Sequence, residues 1–565
     1  MKPVSLTNFS DQPAMVQLPD GRLGAFFGLP PDGADPVTAR YAAERVAVRF
    51  SSDDGRTWTQ SQPLSFTVPP EAGGWFREGL EAIVDGAGEV HLFFLCDANT
   101  GIVPSTQKKV AIPGEDQRPK VGEIQARLDI WHLRSANQRT HWPSPKPIWT
   151  GYTGSLNSAT ILRSGRILIP FSYLTKRNWA GDRGEGIWTF SFPGQFDCTV
   201  VYSDDQGTTW QTSSAALKIA VPDIVSAYGA VEPVVVELKD GRIWMLIRTQ
   251  NGRFYESFSA DGADWSEPQP TNILSSDSPA GLVGLDDGRI VLFWNNCLRF
   301  PYAYGGRHVL HAAISEDSGQ SWRGYREVSR DPVRNAPPPP QGDHGVGYPY
   351  PTLVRDGKII ISTGLGPSKD IARLIDPAWL SETRQKADFV HEQDEWHTFG
   401  TKGVEFLPHP DKKRRRVLSI QKTDRSWPAA AVWNFPAGFR GQIKLKLFAK
   451  PGFGGSLLGL TDHFSVPFDG EDRCYNLFNI RIGPGGIECP TARWFVLKLR
   501  WDCIKRRSSV SIDGKRVAWF TQTRESSSGP CYLRLSSTAK GEQDEGYIIE
   551  SVQADVASPA AAQAW

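Results

Sequence analysis

Four residues stand at the ends of apolar runs, where their side chains could do chemistry. Glu232 opens one run and Arg248 closes its partner sixteen positions later. Arg307 lies eight positions before Ser315, and Tyr350 begins the stretch Tyr350-Pro-Thr-Leu353. A guanidinium is planar and permanently charged, so it holds a carboxylate through paired N–H···O bonds that an ammonium cannot reproduce. A phenol whose proton is drawn off by a neighbouring carboxylate can act as a nucleophile. Each residue alone also has a plain structural reading: a strand-end arginine pairs with a neighbour, a strand-start glutamate sits at the surface, and a tyrosine ring packs. His308, His311 and His344 form no spaced ligand set, with His311 reading as a strand residue, so neither a metal nor another cofactor is expected.

The elements that position these residues repeat. The pattern Ser-x-Asp-x-Gly-x-Thr-Trp occurs as Ser51–Trp58 and Ser203–Trp210, with Ser at the Thr place in Ser315–Trp322, and one residue shorter as Ser259–Trp265. The aspartate suits a tight turn by accepting from local backbone N–H groups, glycine supplies a positive φ, and tryptophan packs across the hairpin. A second pattern, a Gly-centred turn between apolar runs, occurs in residues 13–27, 80–94, 159–171, 233–247, 280–294 and 351–362. Each of these reads as a hairpin. Six hairpins at one interval, most followed by an Asp turn, predict an all-β chain whose first part is a six-bladed β-propeller over residues 1–365.

With 565 residues the chain exceeds what one core usually holds, and two domains are expected. Charge is balanced at 63 basic and 62 acidic residues, which argues against nucleic acid or an anionic membrane as main partner. The 20 Trp fit blade packing and, as a second use, sugar platforms. Cys474, Cys489, Cys503 and Cys531 are four of seven cysteines and fall near the C-terminus, leaving disulfides there and a reduced chain both open. The N-terminus has no apolar signal region, and no run reaches membrane-span length. A cytoplasmic location is expected for the sequence as given, and a secreted or periplasmic one for a processed form. Oligomeric state is not legible.

Blade-type periodicity ends near Ser362. Residues 366–416 are polar and read as a linker with closing strands, the basic run Lys412–Arg416 included as a solvated face. Pro337–Pro340 reads as a stiff spacer leading toward Tyr350. Residues 417–565 alternate, with a hairpin turn at Asp513-Gly514-Lys515, and predict an antiparallel β-sandwich similar to concanavalin- and laminin-G-like modules.

Residues 1–365 resemble exo-sialidases of the Asp-box, or BNR-repeat, superfamily. The resemblance rests on the Asp turns together with Glu232, Arg248, Arg307 and Tyr350 at their spacings. It implies a retaining glycosidase that removes a terminal acidic sugar from a glycan. Tyr350 would be the nucleophile, Glu232 its base, and Arg248 and Arg307 the holders of the sugar carboxylate. A neutral phenol suits this task, because a carboxylate nucleophile would be repelled by a carboxylate on the anomeric carbon. The general acid would be Glu78, with Glu81 and Asp85 as alternatives; the family uses Asp there.

One interaction of the family is absent. Sialidases open the first blade with Arg-Ile-Pro, where this chain has Asp11-Gln12-Pro13, and close the last hairpin with Tyr-Glu, where it has Ser362-Thr363-Gly364. Asp11 at a substrate-binding position would repel a carboxylate. Either Arg40 or Arg45 takes over the role, or the sugar is not ordinary sialic acid. The alternatives are the same scaffold acting on another sugar, as a rhamnosidase or uronate lyase, and a glycan-binding propeller without turnover.

Overall fold

The structure is a computed structural model, and it describes residues 2–6, 13–29, 45–66, 76–97, 110–111, 124–125, 128–177, 194–220, 228–297, 306–336, 345–365, 371–387, 389–390, 393–398, 401–467, 471–541 and 544–557. Strands dominate. The first part of the chain forms six four-stranded antiparallel sheets. Five of them take their strands in chain order from 14–63, 76–149, 160–212, 231–274 and 281–330, with a separate short parallel pair, Val110–Ala111 and Ile124–Gln125, inserted in the second. The sixth joins Tyr350–Leu353, Ile359–Thr363 and Ile371–Ile375 to the N-terminal strand Val4–Leu6.

Both faces of each sheet are buried, which is why the strands read as near-continuous apolar runs. In Val90–Asp97 the alternation divides the side chains between two neighbours. Leu92, Phe94 and Cys96 pack with Val16, Phe26 and Val48 of the first sheet, while Phe93 and Leu95 pack with Ile167, Ile169 and Phe171 of the third. Similar clusters join the third sheet to the fourth, the fourth to the fifth and the fifth to the sixth. A last one, with Met15 and Ala25 against Ile360 and Leu374, joins the sixth to the first. The six clusters close a circle, and the innermost strands of the sheets line its centre: a propeller.

The repeated Asp turns link third and fourth strands. In the first, Asp53 Oδ1 accepts from Thr57 N at 2.8 Å and Oδ2 from the Thr57 hydroxyl at 2.7 Å, while Trp58 Nε1 donates to Gly55 O at 2.9 Å. The turns at Asp205 and Asp317 repeat these bonds. The Thr57 hydroxyl and amide hold the Asp53 carboxyl down at about 2. Its charged form belongs to the fold, so its contribution is present above the ordinary value of 3.8 and is lost as pH falls toward 2.

The C-terminal part is a sandwich of an eight-stranded and a five-stranded antiparallel sheet around a core that includes Trp433, Leu445, Phe478, Leu497, Leu533 and Ile549. Two features depart from the sequence reading. The propeller does not end at 365, because Ile371–Ile375 is a full strand of the sixth sheet. The stretch read as a linker also supplies the sandwich with Arg384–Ala387, Trp396–His397 and Val404–Pro408. These strands are polar in sequence, and pairing places them. The five-stranded sheet packs on the propeller: Val432, Phe464 and Tyr532 share a core with Trp244, Trp294 and Tyr325.

At that seam lies a buried polar network. Glu327 Oε1 accepts from the Tyr532 hydroxyl at 2.6 Å and from His397 Nε2 at 2.8 Å, and Oε2 accepts from Arg330 Nε at 2.6 Å. Burial alone would push the Glu327 carboxyl up, but His397 and Arg330 hold it well below the usual range. All seven cysteines are free thiols. Among the described residues no helix is long and apolar enough to cross a membrane, and no group of His, Cys, Asp or Glu is arranged to hold a metal.

Candidate active site

The site is built where two inner strands bend. In the fourth sheet Val231 pairs with Arg248 and Val234 with Leu246, so one extra residue is accommodated between them as a bulge. Within that bulge Glu232 takes φ +49°, uncommon for a residue with a side chain, and is 1 % exposed. The bulge turns Glu232 out of the strand alternation and toward Arg248, whose Nη1 donates to Glu232 Oε2 at 2.5 Å. Tyr348, also left-handed at φ +54°, stands just before the sixth sheet and donates its hydroxyl to Glu232 Oε1 at 2.7 Å. Arg248 Nη1 also donates to the Tyr348 oxygen, at 3.1 Å. Strained backbone at two residues whose side chains meet is the pattern expected where function fixes geometry.

Asp277 completes the group. Its Oδ1 accepts from Arg248 Nε at 2.9 Å and lies 2.8 Å from Nη2, and its backbone oxygen accepts from Arg307 Nη2 at 3.0 Å. The Arg307 guanidinium carbon lies 5.4 Å from the centroid of the Tyr348 ring. Four of the five N–H donors of Arg248 therefore serve Glu232, Tyr348 and Asp277. Burial would lower the Arg248 pKa, but Glu232 and then Tyr348 outweigh it and raise it. The guanidinium stays charged, and beside it Glu232 has an acceptor oxygen turned to a phenol. This arrangement can take a proton from Tyr348 and leave its oxygen poised to attack.

Of the residues singled out in the sequence, Glu232, Arg248 and Arg307 come together. Tyr350 does not reach Glu232; that hydroxyl belongs to Tyr348. The reason is register. Counted from its hairpin turn, Tyr350 is in the fourth pair, opposite Ser362, level with Val234. Val234 is packed between sheets, whereas Tyr348, two residues further out, is level with Glu232. Asp277 carries no motif and was not legible.

The second sheet bears the candidate acids. Glu78 falls in the bulge between Arg77 and Glu81, and its side chain lies outside the described residues. Glu81 is in the fourth pair, opposite Phe93; its Oε1 is enclosed without a hydrogen-bond partner among the described residues, and burial raises its carboxyl to about 8. Asp85 is a turn residue instead: it accepts from Ala87 N and Glu89 N, each at 2.9 Å, and pairs with Arg134. Asp11 and Arg40 lie outside the described residues, as do His344 and Pro337–Pro340, and Arg45 is at the exposed start of its strand. His308 and His311 are fully buried, and burial lowers them to about 3 and 4.

Residues 82–361 match the family described as BNR repeat-like domain. A sialidase of Micromonospora viridifaciens is 25% identical over 334 residues, a match taking in 55% of this chain and 44% of that protein. The chain thus matches under half the length of that relative. Among solved structures, Trypanosoma rangeli sialidase in complex with sialic acid is similar at 15% identity and a TM-score of 0.42, covering 100% of this chain and 95% of that one. A Hadza microbial sialidase is similar at 16% identity and a TM-score of 0.45, with 66% of each chain covered. By its repeats and by the family and curated matches, the chain belongs to the sialidase and BNR-repeat superfamily.

Proposed function

We propose that this protein is a retaining exo-glycosidase of sialidase type that removes a terminal acidic sugar from a glycan. The observation that carries the reading is the Tyr348 hydroxyl bonded to Glu232, with Arg248 donating to both. In the proposed first step Tyr348 Oη forms a bond to the anomeric carbon while its proton passes to Glu232. The bond to the leaving oxygen breaks, and that oxygen takes a proton from a carboxylic acid of the second sheet, Glu78 in the bulge or Glu81 next to it. Water then cleaves the glycosyl–tyrosine bond, returning both protons to their places and giving net retention. Arg307, beside the Tyr348 ring, receives the sugar carboxylate, while Arg248 holds Glu232, Tyr348 and Asp277 in place. A 2,3-difluorinated sialic acid should leave a covalent adduct that peptide mass spectrometry locates on Tyr348. An adduct on Tyr350, or none with either a 2-keto acid sugar or a uronate analogue, would overturn the reading.

The acid role of Glu81 has its own test. A carboxyl raised to about 8 keeps its proton at neutral pH, so kcat/KM should fall as pH rises through about 8. Glu81→Gln should abolish that limb. It should slow natural glycans by roughly 10²–10⁴-fold while barely affecting aryl glycosides, whose leaving groups need no proton. If Glu78→Gln shows this split and Glu81→Gln does not, the acid is Glu78.

A further inference from the structure

The eight-stranded sheet of the sandwich turns one face into the core and the other away from the propeller, since the five-stranded sheet takes the propeller side. Cross-strand partners share a face, so the outward face can be followed strand by strand. One rung runs Lys386, Gln553, Lys444, Lys498, Ser511, Arg516, each directly opposite the next. At about 4.8 Å per strand this rung is roughly 24 Å long. It holds four cations and no carboxylate, and among the described residues none of the four makes an ion pair. The rung beside it begins with Asp555, which is paired with Arg384 and accepts from Gln553. It continues with Gln442 and Arg500 and ends on Trp519, which is 53% exposed, with the Arg507 and Arg516 guanidinium carbons each 5.0 Å from its ring centroid.

Such a row is costly to the fold by itself. Lys444 and Lys498 face one another directly, and like charges so placed destabilise a sheet. Burial, then Arg500 and Lys444, lower the Lys498 pKa. Lysines that guard a sheet against aggregation belong on its edges, and these two are on central strands. The whole chain is nearly neutral, so the cations are concentrated here against its average. Between them stand the hydroxyl and amide groups of Ser511, Ser509, Gln442 and Gln553, which suit a hydroxyl-rich partner.

We infer that this face binds an extended acidic polysaccharide, laid across the strands along the Lys386–Arg516 rung. The full chain should be retarded in gels containing polygalacturonate or dextran sulfate but not in gels containing neutral dextran, and added salt should weaken the retardation by screening. A Lys444→Glu, Lys498→Glu double variant should weaken it about tenfold or more. Lys444→Ser, Lys498→Ser should weaken it as well while keeping the thermal midpoint and the hydrolytic rate, which separates lost binding from lost folding. The inference is overturned if neither acidic polysaccharide retards the protein or if both variants bind like the parent. It is equally overturned if single-stranded DNA or phosphatidylserine vesicles compete for the same lysines more strongly than polygalacturonate does.

Discussion

Tyr348→Phe is expected to lower kcat by about 10³-fold or more, because it removes the attacking oxygen and leaves the ring in place. The control is Tyr350→Phe, which should cost less than tenfold, since the Glu232 partner is Tyr348. Steady-state kinetics on one acidic-sugar glycoside checks both. KM should change little for Tyr348→Phe, because the arginine and carboxylate framework persists without the hydroxyl: Arg248 keeps Glu232 and Asp277. A Tyr348→Phe enzyme with near-normal turnover would assign the nucleophile elsewhere.

The second large effect is on stability. Glu327→Gln should destabilise the protein by about 2–4 kcal/mol, because it leaves the partly buried Arg330 guanidinium without its carboxylate and sets a buried amide N–H against the Tyr532 and His397 donors. The variant disturbs propeller and sandwich together: Glu327 and Arg330 come from the fifth sheet, while Tyr532 and His397 come from the sandwich. Urea unfolding followed by tryptophan fluorescence would measure it. Lys402→Ala removes the solvent-exposed pair with Asp424 and should cost less than about 1 kcal/mol. Equal losses for the two variants would show that the seam network does not hold the domains.

Much of this architecture was legible because turn chemistry and apolar alternation agreed. The Asp and Gly turns marked each hairpin, and Ile443, Leu445 and Leu447 marked the inward face of a sandwich strand. The tyrosine that meets Glu232 lies two positions before the one expected, for a physical reason. In Tyr348-Pro-Tyr350-Pro the two tyrosines repeat with the period of a strand, so local sequence cannot choose between them. Counting pairs outward from the Asp356-Gly357 turn makes the choice, but only once the Glu232 bulge is known. Asp277 was invisible because its role comes from where two arginines end in space. Arg384–Ala387 was read as linker because it has no alternation of its own; its place is set by the central strand Tyr547–Val556.

The N-terminal strand Val4–Leu6 pairs with Ile371–Ile375, 367 residues later. The ring cannot close on the ribosome until that later strand has emerged, which at 5–20 residues per second is a wait of roughly 20–70 s. Meanwhile the first sheet, from Ala14 to Pro63, presents Met15, Leu23 and Ala25 to water, because their partners Ile360 and Leu374 have not been made. Birth order thus imposes on this protein an interval of exposed apolar surface that its sealed native form conceals, and during that interval a holding chaperone has most to offer.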